Sequence, residues 1–114
     1  MRNQISHVEV SGTNPDQLRE FYGQVFDWQI QHMPEMQYNM VDGSPSIGIG
    51  ASPDNPYVTF YVDVDDLQAT LDKAEAAGGK TIMPPMEIPG TVKMAMFADP
   101  EGHLIGITSP LSQT

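Results

Sequence analysis

The sequence predicts an α+β fold built from two tandem β-α-β-β-β modules, and three observations carry that prediction. An alternating strand running into a capped, apolar-faced helix occurs twice. Each helix is followed by three short extended segments parted by proline and glycine. The whole order recurs at an offset of roughly 50 residues, although residue identity between the halves is low, so the repeat is architectural. A unit of roughly 55 residues sits near the lower limit of independent stability. The halves, about 1–53 and 54–114, are therefore expected to pack into one 1–114 domain. Its strands would form a curled mixed sheet, a cup, with the helices on the outer face.

Residues 4–10 alternate, with Ile5, His7 and Glu9 on one face and Val8 and Val10 on the other. Asn14 is placed to cap a helix with Pro15 at its first position, and Leu18, Phe21, Tyr22, Val25 and Phe26 recur at helical spacing. Extended segments are expected at 28–33, 36–42 and 46–52, separated by Pro34 and by Asp42-Gly43-Ser44-Pro45. The second round begins with the alternating segment 56–64. Asp65 or Asp66 then caps a helix carrying Leu67, Leu71 and Ala74, which Gly78-Gly79 ends. Strands at 80–84, 91–98 and 103–109 follow, divided by the stretch from Pro84-Pro85 to Gly90 and by Asp99-Pro100-Glu101-Gly102, a tight-turn composition.

Fifteen acidic against five basic residues give a formal charge of −10. That field repels phosphate backbones and anionic lipid, so neither nucleic acid nor a membrane is an expected partner. The chain has no cysteine, which removes disulfides, thiolate metal ligands and a cysteine nucleophile. Its start lacks the apolar run of a signal peptide, and no segment approaches the about 20 apolar residues of a membrane span, so a cytoplasmic location is expected.

The two faces of the first strand of each half differ. Val8, Val10, Val58, Phe60 and Val62, with Ile105 and Ile107 of the last strand, make an apolar side suited to packing under the helices. The other side carries His7 and Glu9, then Tyr57, Thr59, Tyr61 and Asp63, then Leu104, Gly106 and Thr108. This mixed aromatic and polar side is the candidate site; its alternative is a solvated or dimer-facing sheet surface. Trp28 and the pair Phe21 and Tyr22 read as core anchors rather than ligand contacts.

Three stretches together resemble the glyoxalase, bleomycin-resistance and extradiol dioxygenase (vicinal-oxygen-chelate) superfamily. They are the His7 strand leading to Phe21-Tyr22 and Val25-Phe26-Asp27-Trp28, the segment Tyr57 to Asp63, and Ala98-Asp99-Pro100-Glu101-Gly102-His103-Leu104-Ile105-Gly106. They are similar to the family's FY…LGW, H-x-A-F-x-V and D-P-x-G-N-x-I-E patterns, and their order and spacing cover nearly the whole chain. The resemblance implies a divalent metal held by His, Gln or Glu from the first and last strand of each repeat, chelating vicinal oxygens of the substrate. His7 occupies the first ligand position. The others fall on Tyr57, Gly106 and either Gly48 or Gly50, which are poor donors or none.

The expectation is therefore a family member that binds a small aromatic or mixed-polarity molecule in the cup, with no cofactor. His7 and Glu9 are the catalytic candidates for acid–base work. Tyr57, Thr59, Tyr61, Met94 and Met96 are the substrate-binding candidates. One alternative is a metal-dependent lyase or dioxygenase of the glyoxalase type, with His7 joined by unusual ligands such as Glu9, His32 or His103. Another is a non-catalytic dimeric interaction module. Family habit implies a homodimer in any case. His32 precedes a loop, and His103 follows the turn as a hydrogen-bonded surface residue.

Overall fold

A computed structural model describes residues 3–36, 38–90 and 92–110, of Met36 the backbone alone. The elements are β1 (Gln4–Gly12), α1 (Pro15–Phe26), β2 (Gln31–Met33), a 3-10 turn (Pro34–Met36), β3 (Tyr38–Val41), β4 (Ser46–Ala51), β5 (Tyr57–Asp63), α2 (Leu67–Ala76), β6 (Lys80–Ile88), β7 (Val92–Ala98) and β8 (Leu104–Pro110). The expected α+β class and the doubled β-α-β-β-β order are both present. Contacts divide the chain into two compact units, Ser6–Phe60 and the chain from Tyr61 onward joined by the residues before Ser6.

In the Ser6–Phe60 unit the strand order is β2-β3-β4-β1, with β1 parallel to β4 and the other neighbours antiparallel. Helix α1 starts where the sequence places it: the Asn14 side chain accepts from the Gln17 N–H at 3.1 Å, and Pro15 needs no partner for an N–H it lacks. It ends at Asp27, which takes the left-handed conformation with φ 57°. No residue of α1 is fully buried. The helix lies on β3 and β4, with Leu18 over Gly12, where a β-carbon would come within 2.9 Å of Leu18 Cδ1. A polar chain adds to this contact: the Arg19 guanidinium reaches Asp16, His32 and Asn39, and Asn39, 1 % exposed, donates to the Ile49 carbonyl.

In the second unit the order is β5-β8-β7-β6, with β5 parallel to β8. Asp66 caps α2 by accepting from the Ala69 N–H at 3.0 Å. The core here is Val64, Leu67, Leu71, Ala95 and Ile107, with Val62 and Phe97 packed against it. Val62 and Ile107 thus lie on the helix-covered side, as the alternation implies.

Several readings need correction. Val58 and Phe60 do not pack under a helix; Val58 is 69 % exposed, because α1 covers β3 and β4 instead. Phe21 is exposed rather than a core anchor, as is Phe26 of the same stripe; Phe21 meets Tyr22 edge-on, and Phe26 stacks with Tyr22 and Trp28. The segment expected to be extended from Trp28 is a strand only from Gln31, since the left-handed Asp27 and an irregular exit precede it. Strand β6 runs through Pro84-Pro85 to Ile88 instead of stopping at Pro84. It is the last strand of its sheet and its pairing slips around the prolines, so their missing N–H groups cost the ladder little. No helix among the described residues is long and apolar enough to cross a membrane.

Candidate functional site

Parallel pairing of β1 with β4 sets His7 opposite Ser46, Glu9 opposite Gly48 and Ser11 opposite Gly50, so these residues share one face of the Ser6–Phe60 unit. Strand β3 adds Met40 opposite Gly48, with Tyr38 two residues earlier on the same face. On that face His7 Nε2 lies 2.9 Å from Glu9 Oε1 and 3.1 Å from the Tyr38 hydroxyl, which donates to the same Oε1 at 2.7 Å. A carboxylate oxygen only accepts, so the neutral imidazole carries its proton on Nε2. Nδ1 then accepts from the Ser46 hydroxyl at 2.7 Å. Glu9 Oε2 takes the Ser11 hydroxyl at 3.4 Å and retains acceptor capacity. The His7 and Glu9 side chains are 20 % and 12 % exposed, so most of each ring and carboxyl is enclosed.

The glycines on β4 are seats for these groups. A β-carbon at Gly48 would stand 1.6 Å from the Tyr38 hydroxyl oxygen and 2.6 Å from Glu9 Oε1, and one at Gly50 would stand 3.0 Å from the Tyr38 ring. The space that a fourth-strand side chain would fill is taken by a phenol from β3 and a carboxylate from β1. Tyr38 is the site residue that sequence reasoning missed. Alternation put it on the face of Met40, but nothing in the spacing says its ring bends over two glycines.

The substrate-binding candidates fall into two groups. Tyr57 lines an open groove of about 500 Å3 in the Ser6–Phe60 unit, with Val10, Thr13, Leu18 and Val58. Thr59 in that unit is buried at 4 % exposure and its hydroxyl donates weakly to the Phe60 carbonyl at 3.4 Å. In the second unit Tyr61 stands opposite Gly106, Met96 opposite Gly106 from the other side, and Met94 opposite Thr108, so these residues share a face. Both methionines are buried there. Tyr61 repeats the arrangement of Tyr38: its ring lies on a glycine, with Cδ2 and Cε2 each 2.3 Å from a β-carbon built at Gly106.

The remaining histidines serve locally. His103 is exposed and bound to Asp99 through Nδ1 at 2.9 Å, as expected of a surface histidine after a turn. His32 sits on β2 in the Arg19 and Asn39 chain. Two carboxyls of the second unit lie below their ordinary range. Asp99 is held there first by the His103 backbone N–H, against some desolvation, and further by the His103 side chain and the Glu101 N–H. Glu75 is held there by hydrogen bonds from the Thr81 side chain and N–H.

The donor set does not fit the metal site that the resemblance implies. His7 and Glu9 are donors bound to each other, Gly48, Gly50 and Gly106 offer none, and Tyr57 offers a phenol. Among the described residues no group of three or more His, Asp or Glu side chains is placed to hold an ion.

A family model described as the Glyoxalase/Bleomycin resistance protein/Dioxygenase superfamily matches residues 4–107. The protein CFP32 of Mycobacterium tuberculosis is 36 % identical over 75 residues, 62 % of this chain and 29 % of that protein. The anthracycline biosynthesis protein DnrV of Streptomyces peucetius is 48 % identical over 49 residues, 43 % of this chain and 18 % of that one. The chain thus spans less than a third of the length of these curated relatives. Among solved structures, the Mn(II)-bound glyoxalase from Novosphingobium aromaticivorans superposes with a TM-score of 0.72 at 19 % identity, over 97 % of this chain and 40 % of that one, a likeness of fold.

Proposed function

Because the chain belongs to the glyoxalase/bleomycin resistance protein/dioxygenase superfamily, we propose that its His7 and Glu9 face binds a small aromatic or mixed-polarity organic molecule without a resident divalent metal. The observation that carries this reading is the pair itself: a part-exposed imidazole and carboxylate bonded at 2.9 Å over two glycines, where chelating side chains would have to stand. Glu9 Oε2 is placed to accept a ligand O–H or N–H, and His7 to pass a proton between Nε2 and that carboxylate, the elements of acid–base chemistry on a bound organic molecule. A carboxylate in a chain of charge −10 favours neutral or cationic ligands over anions. The anthracycline biosynthesis name of a partial relative agrees with a planar aromatic ligand class. Within the Ser6–Phe60 unit Tyr57 and Thr59 belong to the proposal as contributors of apolar and hydroxyl contacts; Tyr61, Met94 and Met96 are proposed separately as a ligand-binding face of the second unit.

A metal-dependent lyase or dioxygenase would need donors that Gly48, Gly50 and Gly106 lack. A homodimer and a cytoplasmic location complete the proposal. The dimer is supported by the exposed Phe21, Val25, Phe26 and Val58. The test is thermal-shift and calorimetric titration of the whole chain with a panel of phenols and aromatic amines, and separately with Mg²⁺, Mn²⁺ and Zn²⁺. A phenol at 100 times its Kd stabilises by about 2.7 kcal/mol, and His7→Ala removes the effect. Stabilisation by a stoichiometric metal, with no response to any organic probe, would overturn the reading.

A further inference from the structure

We infer that Tyr38 is a positioning residue for the His7 and Glu9 pair, and that Gly48 and Gly50 exist to seat its ring. The inference deepens the proposed ligand site and rests on that pair being the site.

Packing accounts for the ring but not for the hydroxyl. Phenylalanine would cover Gly48 and Gly50 equally well. In a half-buried position, a phenol oxygen that found no partner would cost desolvation energy. Here the oxygen has two specific partners. It donates to Glu9 Oε1 at 2.7 Å and lies 3.1 Å from His7 Nε2, while Nε2 and Oε1 are 2.9 Å apart. Each of the three atoms is within hydrogen-bond distance of the other two. With two donors on Oε1, the carboxylate cannot rotate without breaking both bonds, and Oε2 is left as the oxygen that meets a ligand. The imidazole is fixed as well: Nε2–H points into the Glu9 and Tyr38 oxygens while Nδ1 is held by Ser46. Tyr38 therefore holds the carboxylate rotamer that presents Oε1 to Nε2, and it acts on the histidine tautomer through Glu9, the group that requires a proton on Nε2.

Gly48 is part of the same device. A β-carbon there would overlap the Tyr38 hydroxyl oxygen at 1.6 Å and crowd Glu9 Oε1 at 2.6 Å, so any other residue at position 48 would evict the phenol and push the carboxylate. The absent donor on β4 and the hydrogen-bonded phenol from β3 are two sides of one exchange. The carboxylate that a fourth-strand residue could have supplied now arrives from β1, as Glu9, with Tyr38 bracing it.

The test is nitrogen-15 NMR of the histidine rings in the ligand-free protein, with His7 assigned by difference against His7→Gln. In the wild type, His7 is expected as a single tautomer, Nε2 protonated and Nδ1 bare, with a slowly exchanging Tyr38 hydroxyl proton close to the ring. Tyr38→Phe is expected to keep its melting temperature within a few degrees, yet move both His7 nitrogens toward the average of the two tautomers. Gly48→Ala is expected to reproduce that spectrum with the tyrosine still in the chain. Unchanged His7 resonances in Tyr38→Phe would reduce Tyr38 to a packing residue and overturn the inference. Should neither variant fold, the absence of a through-space signal between Tyr38 and the His7 ring in the wild type would do the same. No ligand enters the measurement, so a failed search for ligands leaves its outcome standing, and a failed Tyr38 test leaves the ligand reading standing.

Discussion

At Gly106 the ring of Tyr61 lies against the backbone, with Cδ2, Cε2 and Cγ at 2.3, 2.3 and 2.8 Å from where a β-carbon would stand. Cγ is near the root of the side chain, so the ring cannot swing clear as the tip of a tyrosine could. Gly106→Ala is therefore expected to destabilise by about 1–3 kcal/mol, the usual cost of overpacking, as read from denaturant midpoints at unchanged slope. A neutral result would mean the ring does not rest there. Asp99 makes a second residue-level prediction. Its folded-state carboxyl lies below the ordinary value of 3.8, so its contribution to stability is complete above that value and is lost as pH falls through the lower, folded-state value. The stability gap between wild type and Asp99→Asn should hold down to about the ordinary value of 3.8 and shrink as pH falls from there through the folded-state value; a gap that widens below 3.8 contradicts the assignment.

How much of the site was legible depends on what each residue needs. His7 and Glu9 share a face because strand periodicity is fixed at two, and that can be read from seven residues in a row. The glycines were legible only as missing donors. Their positive role, as seats for Tyr38 and Tyr61, depends on which neighbouring strand lies beside them and which way its rings lean, and both are products of tertiary pairing.

At the scale of elements, the helices show the same division between local and tertiary information. Asn14 and Asp66 cap α1 and α2 as their positions imply, since a side-chain oxygen next to a helix start needs only the following turn to act. Replacing either by alanine should cost about 1 kcal/mol in a thermal or urea melt. What holds α1 to its sheet could not be read from its apolar stripe, because Phe21, Val25 and Phe26 of that stripe are exposed. The contact relies instead on Leu18 over Gly12 and on the polar chain from Arg19 to Asn39, which joins residues of α1, β2 and β3. Asn39→Ala is expected to cost about 1–3 kcal/mol by leaving buried partners unsatisfied. Arg19→Met should cost less, because its ion pair with Asp16 is exposed. The reverse order would show that the helix is held by charge rather than by the buried amide. Proline in β6 misled for a related reason: the rule that proline ends a strand holds for central strands, and only the strand order identifies β6 as the last of its sheet.

At the scale of the whole molecule, the doubled element order and the three ordered motifs made the family readable, and the match over residues 4–107 agrees. The charge of −10 acts at this scale as well. If an aromatic carboxylate binds at all, its affinity should rise with salt, since a Debye length of about 10 Å at 0.1 M screens the opposing field. A neutral phenol should bind independently of salt. The central claim is that tyrosine rings and a relocated carboxylate have replaced a metal-holding face. Elemental analysis of the purified, unchelated protein tests it most directly. Less than a tenth of an equivalent of any divalent transition metal per chain, on the order of adventitious loading, is the expected result. One equivalent of a metal that disappears in His7→Ala would contradict it.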